Sequence, residues 1–184
     1  PTRPFGDAKS QWSFSASGNS FAFTRQHDET SAVAWTTNLD VYTVDLSNAT
    51  LTVDCISCSN HAADTDPKYS PTDENILVYR AQSVEGYESD QFRLKLYNGE
   101  CVRSVGNVLN LRFSGATTRT LLEDWDQSIQ VATWLDNGQS LLLELGEEAN
   151  HVIYQVLDVL NANITYVRRG LAKGTYHDVS ADPA

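Results

Sequence analysis

The chain lacks any apolar run long enough to span a bilayer. Its longest candidate, Leu141–Leu145, is short and holds the carboxylate of Glu144. No apolar stretch follows Arg3 near the start, so no signal peptide is read and Pro1 is expected to be internal or processed. Basic charge is scarce, with 13 Lys and Arg against 24 Asp and Glu, a net charge of −11 and a pI near 4.6. Only Arg168 and Arg169 adjoin, which argues against a nucleic-acid partner, because phosphate binding needs a basic surface. An acidic surface of this kind favours solubility and offers attraction to a cationic substrate terminus. Catalytic signatures are missing too. There is no G-x-S-x-G elbow, no Gly-rich phosphate loop and no H-E-x-x-H, and strands do not alternate with long amphipathic helices. No catalytic constellation and no cofactor are expected within this chain, and no membrane partner.

What is present is a repeat. WSFSASGNSFAFT (12–24), PKYSPTDENILVY (67–79) and ATWLDNGQSLLLE (132–144) each run aromatic, polar turn, apolar strand. Phe14 and Tyr69 are 55 residues apart, and Tyr69 and Trp134 are 65 apart. Such periods suit propeller blades of four strands, and the hydrophobic content of 41% suits a packed core. The predicted class is all-β, a partial β-propeller of about three four-stranded antiparallel blades over 12–54, 66–122 and 129–167, with 168–184 approaching a further one. Period-two alternation places strands at 12–15, 21–23, 40–46 and 50–53 in the first unit. The second unit has 68–70, 76–80, 92–97 and 117–122, and an insertion over 99–115 lengthens it. The third has 129–134, 140–145, 152–157 and 164–167. Phe14, Tyr69 and Trp134 are expected to fill the interfaces between sheets. Propellers close with ~4–8 blades, so three are expected to belong to something larger.

Three cysteines leave pairing open. Cys55 and Cys58 form a C-x-x-C with His61 close behind, and Cys101 stands apart. One disulfide plus an odd thiol is the plain reading; a zinc site using all four residues is the rival, weakened by the absence of a second tight pair. Asn48-Ala49-Thr50 and Asn163-Ile164-Thr165 are glycosylation sequons at predicted hairpin tips, a placement that fits a secreted chain. Acidic loops occur at 85–90 and 123–126. The first reads as a solvated loop or as a contact for a cationic group, and the second, between blades, as a contact site or a cap on a strand end. His27, His61, His151 and His177 form no spaced cluster.

Taken together, PFGDAKSQWSFSASGNSFAFT, DTDPKYSPTDENILVYRAQ, GYESDQFRLKLYN and LLEDWDQSIQVATWLDNGQSLLL resemble the propeller of the prolyl oligopeptidase family. The nearest subgroup is the secreted fungal enzymes of the dipeptidyl-peptidase V and acylaminoacyl-peptidase type. GYESDQFRL (86–94) and EDWDQS (123–128) are the most diagnostic pieces. The resemblance implies an interior stretch of an N-terminal propeller that covers a C-terminal α/β-hydrolase domain and limits access to short peptides. Its partners would be that hydrolase domain, the remaining blades and a peptide substrate; no residue of the family's catalytic triad falls here. Glu88 and Asp90 match the GYESD motif and are implied at the domain interface or at the substrate's amino terminus. The chain departs from the pattern at Thr72–Asn75, at Leu135-Asp136 and over 99–115, which leaves loop detail open. A different class of function is a non-enzymatic propeller module that closes by self-association, since open sheet edges invite pairing.

Overall fold

A computed structural model describes residues 11–26, 31, 35–99, 115–135, 138–161, 164–169, 175–176 and 179. Among them are twelve strands and no helix. The first sheet holds β1 (Trp12–Phe14), β2 (Ser20–Arg25), β3 (Asp40–Asp45) and β4 (Thr52–Cys55) in that spatial order. The second holds β5 (Asp64–Tyr69), β6 (Ile76–Ala81), β7 (Arg93–Asn98) and β8 (Thr117–Leu121). The third holds β9 (Ile129–Trp134), β10 (Leu141–Glu147), β11 (Asn150–Leu157) and β12 (Thr165–Arg168). All neighbours pair antiparallel, in the up-and-down order of propeller blades.

The alternation of β6 explains how the sheets stack. Leu77, Tyr79 and Ala81 point one way and join Ala22, Val41, Tyr69 and Tyr97 between the first and second sheets. Ile76 and Val78 point the other way and meet Trp134, Leu141, Leu143 and Leu145 of the third. The second sheet is therefore buried on both faces, and each fully buried Leu or aromatic contributes about 1.5–3 kcal/mol.

β5 begins at Asp64, four residues before the expected Lys68, because its first half is polar and irregular. The register with β6 shifts between Thr65 and Lys68, and Asp66 takes a φ of 59°. Pro67 is tolerated at this bulge, where no ladder N–H is needed. The buried Asp66 carboxylate lies 3.3 Å from Arg80 Nε and 3.1 Å from Lys68 Nζ, and Arg80 also sits 4.9 Å over the Phe92 ring. This ion pair holds the bulge shut between two sheets.

The repeated aromatics do not behave alike. Tyr69 and Trp134 are 9% and 8% exposed, and the Trp134 indole N–H donates to Lys68 O across the second interface. Each thus faces the sheet before its own. Phe14 occupies the same place on the first sheet but is 50% exposed, so its expected interface role is not met. With Trp12, Phe21, Phe23 and Tyr42 it forms a continuous run of ring contacts 4.8–6.1 Å apart on the outer face. The repeat puts an aromatic wherever a preceding sheet packs, and here that face is open.

Beyond β12, Tyr176 N donates to His151 O and Val179 N donates to Glu144 Oε1. The insertion over 99–115 is described only at Gly99 and Gly115, and its remainder lies outside the described residues.

Candidate functional site

Antiparallel order sends alternate connections to opposite ends of the sheets. The linkers 56–63 and 122–128 and the loops 82–92 and 148–149 share one end, where Leu39 bridges Ala63. The turns 15–19, 46–51 and 70–75 share the other. The first end collects carboxylates: Asp40, Asp64, Glu85, Glu88, Asp90, and Glu123, Asp124 and Asp126.

Loop 82–92 is built around Gln82. This side chain is 1% exposed, and its amide donates to Glu88 O at 3.0 Å and Asp90 O at 2.8 Å. Asp90 then accepts the N–H groups of Ser83 (2.7 Å), Val84 (2.9 Å) and Gln91 (2.8 Å). Partial burial pushes the Asp90 carboxyl up, but these three donors and the nearby Arg93 outweigh it and hold the group below its ordinary range. Asp90 therefore fastens its own loop. Glu88 is exposed at the loop surface, held there through its backbone carbonyl.

The two most diagnostic motifs form one body. The Gln91 amide donates to Trp125 O at 3.0 Å and Gln127 O at 2.6 Å. Phe92 N donates to Ser128 Oγ at 3.1 Å, and Arg93 donates to Glu123 O at 2.6 Å. Trp125 stacks on Tyr166 at 4.8 Å and meets Tyr154 edge-on at 5.0 Å. Leu122, Glu123, Asp124, Trp125 and Tyr166 line a shallow groove of about 200 Å³, so aromatic faces and two carboxylates are presented together. Gln82 and Gln91 lie within the quoted motifs, but sequence reading gave neither of them a role.

Behind the loops, Asp64 is 1% exposed and accepts from Asn60 Nδ2 at 2.9 Å. Burial pushes its carboxyl up to about 7, against hydrogen bonds from Asn60 and Ser57, and the Asp40 charge adds to the rise. Cys55 and Cys58 are joined in a disulfide, which settles their pairing and removes them as thiolate ligands in this form. Cys101 lies outside the described residues. Asn48 sits at the opposite end, its Nδ2 donating to Asp45 Oδ2 at 2.9 Å, and Asn163 lies outside the described residues. His27 and His177 also lie outside them. What the acidic end gathers is carboxylate, amide and aromatic surface, the chemistry for holding a cationic group or a basic partner.

Neither protein-family models nor curated proteins match the chain. Among solved structures it is similar to the crystal structure of TolB from Acinetobacter baumannii, at 15% identity and a TM-score of 0.52. The match covers 90% of this chain and 34% of TolB, so the chain spans about a third of that protein. At this identity the likeness concerns the fold alone, and with three up-and-down sheets it gives a partial β-propeller.

Proposed function

We propose that this chain is a stretch of the propeller that covers the hydrolase domain of a secreted serine exopeptidase of the dipeptidyl-peptidase type. Its role is to restrict access and to help hold the substrate's amino terminus at the acidic end. The observation that carries this reading is the union of GYESDQFRL with EDWDQS. The two motifs on which the family resemblance rests are stitched into one rigid loop body, fastened by Asp90 and presenting Glu88 outward. An exposed carboxylate on a loop tied to the segment that carries the Trp125 groove suits an ammonium group. Supporting it, the open aromatic face of the first sheet asks for another sheet, as the family's larger propeller would supply.

The test is fluorophosphonate labelling of the native material, read on a denaturing gel with intact mass. A labelled species much heavier than 20.4 kDa that contains these peptides is the expected result. In that enzyme, Glu88→Gln should raise KM by about tenfold for substrates with a free amino terminus, roughly the loss of one charge-assisted contact. Substrates with a blocked terminus should be unaffected. An unlabelled preparation holding the short chain alone sinks the reading. The outcome would then favour a self-associating binding module, which the exposed Trp12 and Phe14 also suit.

A further inference from the structure

At the edge of the acidic end, the disulfide lies against a buried carboxylate. Cys55 ends β4 directly across from Tyr42 of β3, and Asp40 lies two residues before Tyr42, on the same face. The segment after Cys55 folds back over β3. Ile56 N donates to Val41 O at 3.0 Å, Val41 N donates to Ser57 Oγ at 2.9 Å, and Asn60 N donates to Ser57 O at 2.8 Å. This fold-back brings Cys58 Sγ to 3.6 Å from the Tyr42 hydroxyl. One carboxylate oxygen of Asp40 and the two sulfurs then lie within 4.8 Å of one another. Asp40 is 3% exposed, Cys55 is half-buried and Cys58 is an exposed residue, so the set runs from a buried residue toward the surface.

We propose that Asp40, Cys55 and Cys58 form a redox-gated site for a thiophilic divalent cation such as zinc, closed while the disulfide stands and opened by a dithiol reductant. Cys58, the more exposed residue of the pair, is the point of attack. A reductant thiolate bonds to Cys58 Sγ and displaces Cys55 as thiolate. The reductant's second thiol then displaces Cys58, leaving the reductant as its own disulfide and both cysteines reduced. Two electrons pass from reductant to protein. The two protons of the dithiol leave to solvent, and the cation takes both cysteine thiolates and one Asp40 oxygen.

Reduction without a cation would put two incipient thiolates beside a buried carboxylate, an arrangement that a divalent ion relieves. Arg25, opposite Asp40 on β2 and 5.8 Å over the Tyr42 ring, is a positive charge with which the cation must compete, so the two thiolates supply most of the attraction. Two sulfurs and one oxygen suit zinc, leaving its fourth position to water. This set differs from the one the spacing suggested, because the third protein ligand comes from β3 rather than from His61 or Cys101.

The test uses the whole chain carrying Cys101→Ser, reduced with a phosphine and titrated with cadmium, read by the thiolate-to-cadmium charge-transfer band. One cadmium per chain is expected in the reduced protein and none in the oxidised. Cys58→Ser should abolish the band's saturation at one equivalent, and Asp40→Asn should weaken binding by about tenfold or more with the two thiols intact. Unchanged affinity in Asp40→Asn, or no binding by the reduced protein, overturns the site. Should Asp40→Asn fail to fold, X-ray absorption of the zinc-loaded reduced parent decides. Two sulfurs with oxygen scattering are expected, and an imidazole signature overturns the assignment.

Discussion

Asp64 and Asp90 stand at the same end of the second sheet, yet their carboxyls shift in opposite directions because their surroundings differ. Asp90 faces three backbone N–H groups; Asp64 is walled in, with Asp40 adding negative charge. Asp64 titrates near 7 in the folded chain against 3.8 unfolded, so the folded state holds its proton more tightly. Its contribution to stability is full below the unfolded value and is lost as pH rises toward and through 7. The size is on the order of 2–4 kcal/mol across that window. Asp64→Asn keeps an oxygen acceptor for Asn60 and cannot ionise, so its stability should vary less with pH. Urea midpoints at about pH 5 and about pH 8 check this. Parallel pH dependence in parent and variant would mean that Asp64 is already ionised when folded. None of this was legible in the sequence. GYESD marks Glu88 and Asp90 together, and only the positions of the Ser83, Val84 and Gln91 amides separate a loop fastener from an exposed carboxylate.

At the scale of elements, the aromatic of each repeat supplies the clearest contrast. Trp134→Ala and Tyr69→Ala should each destabilise by about 3–5 kcal/mol, since each empties a filled interface and Trp134 also loses its bond to Lys68 O. Phe14→Ala, at the equivalent place on an open face, should cost under about 1 kcal/mol. Chemical denaturation of the three variants measures this, and equal losses would mean that the outer face is covered in solution. β3 was readable from its β-branched residues at period two and β6 from its place in the repeat, although both are buried along nearly their whole length. The start of β5 was not, because Asp64, Thr65 and Asp66 are polar residues buried by an ion pair and amide contacts instead of by apolar packing. The joining of loop 82–92 to linker 122–128 was hidden for a related reason. Side-chain amides reaching backbone carbonyls more than thirty residues away leave no pattern along the chain.

Among the described residues the three sheets stack so that the middle one packs against another sheet on both faces. The outer face of the first sheet carries Trp12 at 44% and Phe14 at 50% exposure beside Phe21 and Phe23, and Val53 at 51% lies on the same face. A contiguous apolar face of this kind is uncommon on a monomer and promotes association. Expressed by itself, the chain should therefore self-associate or melt without cooperativity, and sedimentation velocity across a concentration series should show species heavier than 20.4 kDa. Replacing Trp12 and Phe14 together by Ser should move the distribution toward monomer while leaving the Tyr69 and Trp134 interfaces in place. A parent chain that sediments as a monomer and unfolds cooperatively would mean that the first sheet tolerates water on its aromatic face. Loss of association on the double substitution would identify that face as the one through which copies of the chain associate.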